Sequence, residues 1–407
     1  MVAENAEIAA MEALRLASIS GFPRAAQLQL VCLYLCNACR ESLEWNLVVD
    51  ASIPSGRLAF LCREGTLTPR RTGSFRVSAQ MRIRKVLFAM NASIDAVVWP
   101  GATRELYFGA TFNHPIADGV RWPKDLHTLI FSFDFNQPIE DVVWPGGLRK
   151  LHLWGSFNQP VANVSLPNGL VELRLGDCFN QPIESVTWPA DLQRLTFGRD
   201  FNQPIEGVVW PAGLKELLYG TNFDQPIEHA LWPPALERLG FTFFNRPIEA
   251  VEWPPRLQEL ELGNSFNQQI EGVTWPESVL VLVFGEQFDQ PIEGVEWPAM
   301  LERILFGERF NQPIESVAWP ERLLELEFGE EFNQPIEGVR WPNSLKHLQF
   351  SSEFNQPIQG VSWPQGLTYL ELGDSFDQPT EGVKWPEKLQ HLSSRYEGDA
   401  DRQSAQG

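Results

Sequence analysis

From about residue 90 to residue 393 the chain repeats one 22-residue phrase, Phe-Asn-Gln-Pro-Ile-Glu-Gly-Val-x-Trp-Pro-x-x-Leu-x-x-Leu-x-Phe-Gly. A short fixed period restricts the fold to a stack of near-identical turns, in which each turn contacts only its neighbours. The Trp-Pro pairs set the register, running from Trp99 to Trp385, with Leu166-Pro167 filling the one gap, so there are fourteen turns. Only two spacings depart from 22, namely 23 between Trp99 and Trp122 and 21 between Trp232 and Trp253. The first turn is degenerate, reading Met90-Asn91-Ala92-Ser93-Ile94, as expected of a terminal repeat that ends a stack.

Within the phrase, Leu-x-x-Leu-x-Phe (Leu345, Leu348, Phe350) alternates apolar and variable residues and contains no proline. This pattern predicts a short strand with one buried face, and successive copies would pair as a parallel sheet about 4.8 Å apart. Asn-Gln-Pro-Ile cannot sit centrally in that sheet, because proline lacks the ladder donor; it is expected to form the bend on the opposite side. Of the 31 prolines, 26 occupy the Gln-Pro and Trp-Pro positions, so proline here sets geometry and does not signal disorder. The residue after the first Phe is Asn or Asp in every turn, with Asp at 224, 289 and 377. An ionised Asp cannot donate, so the shared requirement is an acceptor oxygen, expected to cap backbone N–H groups as in an Asx-turn.

These residues resemble the FNIP repeat, a relative of the leucine-rich repeats, over residues 90–393. The resemblance implies a mainly β, leucine-rich-repeat-like parallel β-solenoid of about fourteen turns, used for protein interaction. It also implies, for some members, an N-terminal F-box that docks a substrate receptor onto a ubiquitin ligase.

Ahead of the array, residues 1–62 read as a small α-helical cap or adaptor. Helical patterning over residues 4–19 (Ile8, Met11, Leu14) is broken by Gly21-Phe22-Pro23 before a second helix over 24–44. Phe22-Pro23 followed by an apolar helix echoes an F-box, so an F-box-like substrate receptor stands beside the cap as an alternative. Residues 63–89 form a basic connecting segment, and residues 394–407 a polar tail expected to be disordered.

The formal charge of −20 is unevenly spread: residues 1–89 carry +4 and the remainder −24. An acidic array repels phosphate and anionic lipid, which argues against nucleic acid and membrane as partners and favours a basic protein. No apolar run approaches the roughly 18–20 residues of a membrane span. The five cysteines are odd in number, and no basic stretch leads into an apolar one at the N-terminus. Reduced thiols and a cytoplasmic location are therefore expected.

Candidate chemistry is sparse. Cys32, Cys36 and Cys39 have iron–sulfur-like spacing but also share one face of an apolar helix, where cysteine acts as a small hydrophobe. The six histidines are scattered over different turns, and neither a phosphate loop nor a His-Glu metal motif is present. Glu259/Glu261 and Glu325/Glu327 each place two carboxylates on one strand face, which allows a glycan-active β-solenoid enzyme as a second alternative to solvated surface. Glu follows the Ile position in ten turns, either as a solubilising ridge or as a docking strip for a basic protein or divalent cations. No catalytic, cofactor or metal residue is assigned.

The main expectation is a non-catalytic interaction scaffold that uses its variable strand face. There Tyr107, Ile130, His152 and Arg174 occupy one column of successive turns, and Phe133 and Trp154 replace small or polar residues at the adjoining rim. Aromatic and Arg side chains anchor most interfaces, so these six form the candidate partner-binding cluster.

Overall fold

The structure is a computed structural model that describes residues 45–49, 83–88 and 91–393, except 96, 98, 100, 101, 117 and 118. The helices expected over residues 4–19 and 24–44, the basic stretch as far as residue 82, and the tail from 394 all lie outside the described residues. So does the choice between cap and F-box-like adaptor. Among the described residues there is no helix. The chain divides into two compact units, residues 1–192 and 193–407.

The first unit carries β1 (Trp45–Val49), β2 (Ile83–Phe88), β3 (Glu105–Phe108), β4 (Thr128–Phe131), β5 (Lys150–Leu153) and β6 (Glu172–Leu175). Each pairs in parallel with the next in sequence order. β1 and β2 extend this ladder ahead of residue 90, where the 22-residue phrase is absent. Residues 83–88 form a strand because they alternate, with Val86 and Phe88 buried and Lys85 and Leu87 facing outward.

The second unit carries β7 (Arg194–Thr196), β8 (Glu216–Leu218), β9 (Arg238–Gly240), β10 (Glu259–Glu261) and β11 (Val281–Val283). It continues with β12 (Arg303–Leu305), β13 (Glu325–Glu327), β14 (His347–Gln349), β15 (Tyr369–Glu371) and β16 (His391–Ser393), again parallel and in sequence order. Turn for turn, both units are the parallel β-solenoid that the repeat predicts.

One turn of the second unit shows how 22 residues close. The strand Glu325–Glu327 buries Leu326 and turns its two glutamates outward. Three β-turns complete the circuit. The Phe332 N–H donates to Gly329 O (3.3 Å), Val339 N–H to Ile336 O (3.3 Å) and Leu345 N–H to Pro342 O (3.1 Å). Gly338 lies at φ +89° in the second of these, the left-handed value that position i+2 of a type II turn requires. Asn-Gln-Pro-Ile is not the bend that its proline predicts. Residues 333–336 carry neither turn nor bend and lie between two turns, and the neighbouring copies are held by side chains in place of a backbone ladder.

That side-chain ladder is the Asn column. Asn333 Oδ1 accepts from the backbone N–H of Asn355 (3.0 Å) and from Gln356 Nε2 (3.0 Å), both one turn further on. Asn311 serves Asn333 and Gln334 in the same way, both at 3.0 Å. Asp289 serves Asn311 and Gln312 at 3.0 and 2.8 Å. The acceptor requirement is met, but the bond runs to the next turn rather than locally as an Asx-turn would. In the first unit the same bond joins Asn113 to Asn136, Asn136 to Asn158 and Asn158 to Asn180, at 2.9–3.0 Å.

Inside, the first Phe of each turn stacks on its counterparts. Phe332 lies 6.1 Å from Phe310 and 6.3 Å from Phe354, and 4.1 Å from Phe328 in its own turn. It is fully buried, as are the Leu and Ile columns. The Trp column stacks at the corner, with Trp319 6.4 Å from Trp341. At the other corner successive glycines bring backbones together: a methyl group on Gly329 would land on the carbonyl of Gly307.

Candidate interaction face

In the first unit the register places four of the candidate residues in one row. Tyr107 pairs with Ile130, Ile130 with His152 and His152 with Arg174. Their side chains do not share one environment. Ile130 and His152 are 5% and 3% exposed, beneath the surface, whereas Tyr107 and Arg174 are half-buried. Phe133 and Trp154 are also half-buried and sit on adjacent turns, where the backbone N–H of Ser156 donates to Phe133 O (2.7 Å). Trp154 stands in the column that other turns fill with glycine, serine or threonine. Gly155 follows it at φ +58°, where a Cβ would meet the Phe133 carbonyl.

Charge organises this row. Glu172, 8% exposed, takes Lys150 Nζ at 3.2 Å and His152 Nε2 at 2.7 Å, with Arg174 Nε at 3.7 Å. A buried carboxylate needs such partners, because desolvation otherwise disfavours its charged form. Burial lowers the His152 pKa to about 4, only partly offset by its hydrogen bond to Glu172. The ring is therefore neutral at pH 7. Trp154 closes the cluster, with the His152 ring edge-on at 5.8 Å and the Arg174 guanidinium 5.9 Å from its ring centre. Further along the face, Glu105 joins Lys85 Nζ (3.0 Å) and accepts from the Tyr107 hydroxyl (2.7 Å).

In the second unit the paired acids are each bridged by an arginine from the preceding strand. Arg303 reaches Glu325 at 2.9 Å and Glu327 at 3.0 Å, and Arg238 spans Glu259 and Glu261. Burial holds the Glu259 and Glu325 carboxyls above the usual range, and a hydrogen bond with Glu327 adds to this at Glu325. Next to them His347, Tyr369 and His391 stack face to face at 4.1 and 4.4 Å. In the sequence these histidines fall in different turns. His347 and His391 share one column, 44 residues apart with Tyr369 midway, and that register is the sequence signal for the stack.

Strand, three turns and inward Leu and Phe columns define a leucine-rich-repeat-like solenoid. More narrowly, the FNIP repeat matches at residues 135–178, 179–218, 201–243, 244–287, 288–331, 332–375 and 354–393, and the protein belongs to the FNIP-repeat family. No curated protein matches it significantly. Among solved structures, the circular LRR protein CroV588 is 32% identical, with a TM-score of 0.48 over 77% of this chain and 59% of that one. This chain thus spans less than two thirds of CroV588. An internalin, InlF, from Listeria monocytogenes is 14% identical, with a TM-score of 0.48 over 75% of this chain and 84% of its own.

Proposed function

We propose that the protein is a non-catalytic interaction scaffold that binds a protein partner through the strand face of β3–β6. Trp154 is the anchor. The observation that carries this reading is the braced indole itself. A large aromatic ring replaces the glycine, serine or threonine of other turns at the rim and stays half-buried, with Arg174 against it and His152 beneath. Rigid aromatic and Arg groups lose little entropy on binding and dominate interface energy. Phe133, Tyr107 and Arg174 complete the contact surface, while buried Ile130 and His152 support it from below. The acidic balance of the array favours a partner with a basic surface, and the cytoplasm is the setting proposed for the encounter.

The test is affinity purification of the full chain beside Trp154→Ala and Phe133→Ala, with bound proteins identified by mass spectrometry. The reading expects a partner that the wild type retains and both variants lose. A partner held equally by all three proteins sinks the assignment. A parallel purification without residues 1–60 identifies capture by the N-terminal segment, including a Skp1-like adaptor, and separates it from capture by the face.

A further inference from the structure

We propose that Glu325, Glu327 and His347 form a binding site for a divalent transition-metal ion of the Zn²⁺ class. The site lies on the second unit and is independent of the partner face on β3–β6. Glu325 and Glu327 are alternate residues of β13 and so point to the same side of the sheet. His347 of β14 is the register partner of Glu325. One oxygen from each carboxylate and one ring nitrogen lie within 4.8 Å of one another. Oxygen and nitrogen ligands sit about 2.0–2.2 Å from zinc, so two on one tetrahedral ion are about 3.4 Å apart. Small side-chain rotations close that gap.

Two further observations favour an ion here. His347 Nε2 is shut off from solvent and has no hydrogen-bond partner, an expensive state for an imidazole nitrogen. Its ring is also held in place, stacked on Tyr369 at 4.1 Å. Arg303, on the opposite side of β13 from β14, takes Glu325 Oε2 and Glu327 Oε1. Each carboxylate has a second oxygen, and a cation on the His347 side would take these in place of the hydrogen bond between Glu325 and Glu327. Arg303 would then act as a positioning residue that fixes both carboxylates from behind.

The protein contains its own comparison. Arg238, Glu259 and Glu261 repeat the arginine-bridged pair, but the register partner of Glu259 is Val281. That turn lacks the nitrogen and is a plain ion-pair rung. Imidazole with two carboxylates suits Zn²⁺ among the abundant divalent ions, since Ca²⁺ and Mg²⁺ prefer an all-oxygen shell. Three protein ligands leave a coordination position for water or for a donor from a bound partner.

The test is equilibrium dialysis of the full chain against Zn²⁺, with Co²⁺ difference spectra, for wild type, His347→Ala and Glu325→Gln. Circular dichroism checks that each variant is folded. Any ion held by the cysteine thiolates is common to all three proteins and cancels. The proposal expects one more bound ion in wild type than in His347→Ala. It also expects at least about tenfold weaker binding in Glu325→Gln, and a Co²⁺ difference spectrum without thiolate bands. Equal uptake by wild type and His347→Ala, which means an adventitious ion only, overturns it.

Discussion

Asn333 is the sharpest place to test whether the Asn column works as an acceptor or as an amide. Its Oδ1 takes two bonds at 3.0 Å, from the Asn355 backbone N–H and from Gln356 Nε2. Asn333→Ala removes the acceptor for both. At about 0.5–1.5 kcal/mol per bond the loss is about 1–3 kcal/mol, mostly from the backbone donor stranded between turns. Asn333→Asp keeps the acceptor and loses only the amide donor. The flanking members of the column, Asn311 and Asn355, are uncharged, so no carboxylate stack forms. The expected change for Asp is below about 0.5 kcal/mol. Urea unfolding of the full chain gives the global figure, and native-state hydrogen exchange at the Asn355 amide gives the local one. In a stack of nearest-neighbour interactions the local reading should carry most of the effect. Asp as damaging as Ala, or an Asn355 amide equally protected in all three proteins, refutes the acceptor argument.

Other columns make separate predictions. Phe332→Ala opens a cavity in the ring stack and should cost about 3–5 kcal/mol in urea unfolding. Gly329→Ala pushes a methyl group onto the Gly307 carbonyl and should cost about 1–3 kcal/mol, visible as a lower midpoint at unchanged slope. His152 should make the first unit acid-sensitive. Its folded pKa is about 4, below the ordinary histidine value of about 6.5, so the unfolded state binds the proton more readily. Stability therefore falls as pH drops from about 6.5 and levels off near 4, by roughly 3 kcal/mol in all. A His152→Leu protein should show a flatter profile across that window.

The period alone made the strand, the parallel register and the inward columns legible, because burial repeats with the backbone. Two local details were not. Proline in Asn-Gln-Pro-Ile excludes a backbone ladder and so predicts a bend; side-chain acceptors supply the ladder there, and the chain turns at Gly-x-x-Phe, Ile-Glu-Gly-Val and Pro-x-x-Leu. β2 was hidden because Arg84 and Lys85 dominate a stretch that lacks the repeat phrase, although Val86 and Phe88 already alternate. For the candidate face, column arithmetic grouped Tyr107, Ile130, His152 and Arg174 correctly in one row. It could not foresee that Ile130 and His152 would be covered. Their burial depends on the size of neighbouring side chains, not on the period. The Glu172 hub was missed for the same reason: its partners lie on strands 22 residues apart and come together only in the fold.

The Asn column also gives the stack a direction. Along the column each rung offers an acceptor forward and a donor backward, so the two faces of a turn are complementary and any two turns can meet. Length is then a free parameter of the chemistry. Excising residues 311–332, or duplicating them, rejoins like with like and strands no donor or acceptor. The one 21-residue spacing already shows tolerance of a missing residue, since Asn245 still bonds to Asp224 Oδ1 at 2.9 Å. Proteins of this construction can therefore lengthen or shorten by whole turns through tandem duplication or loss. Each such event moves a recognition patch along the array without altering the patch itself.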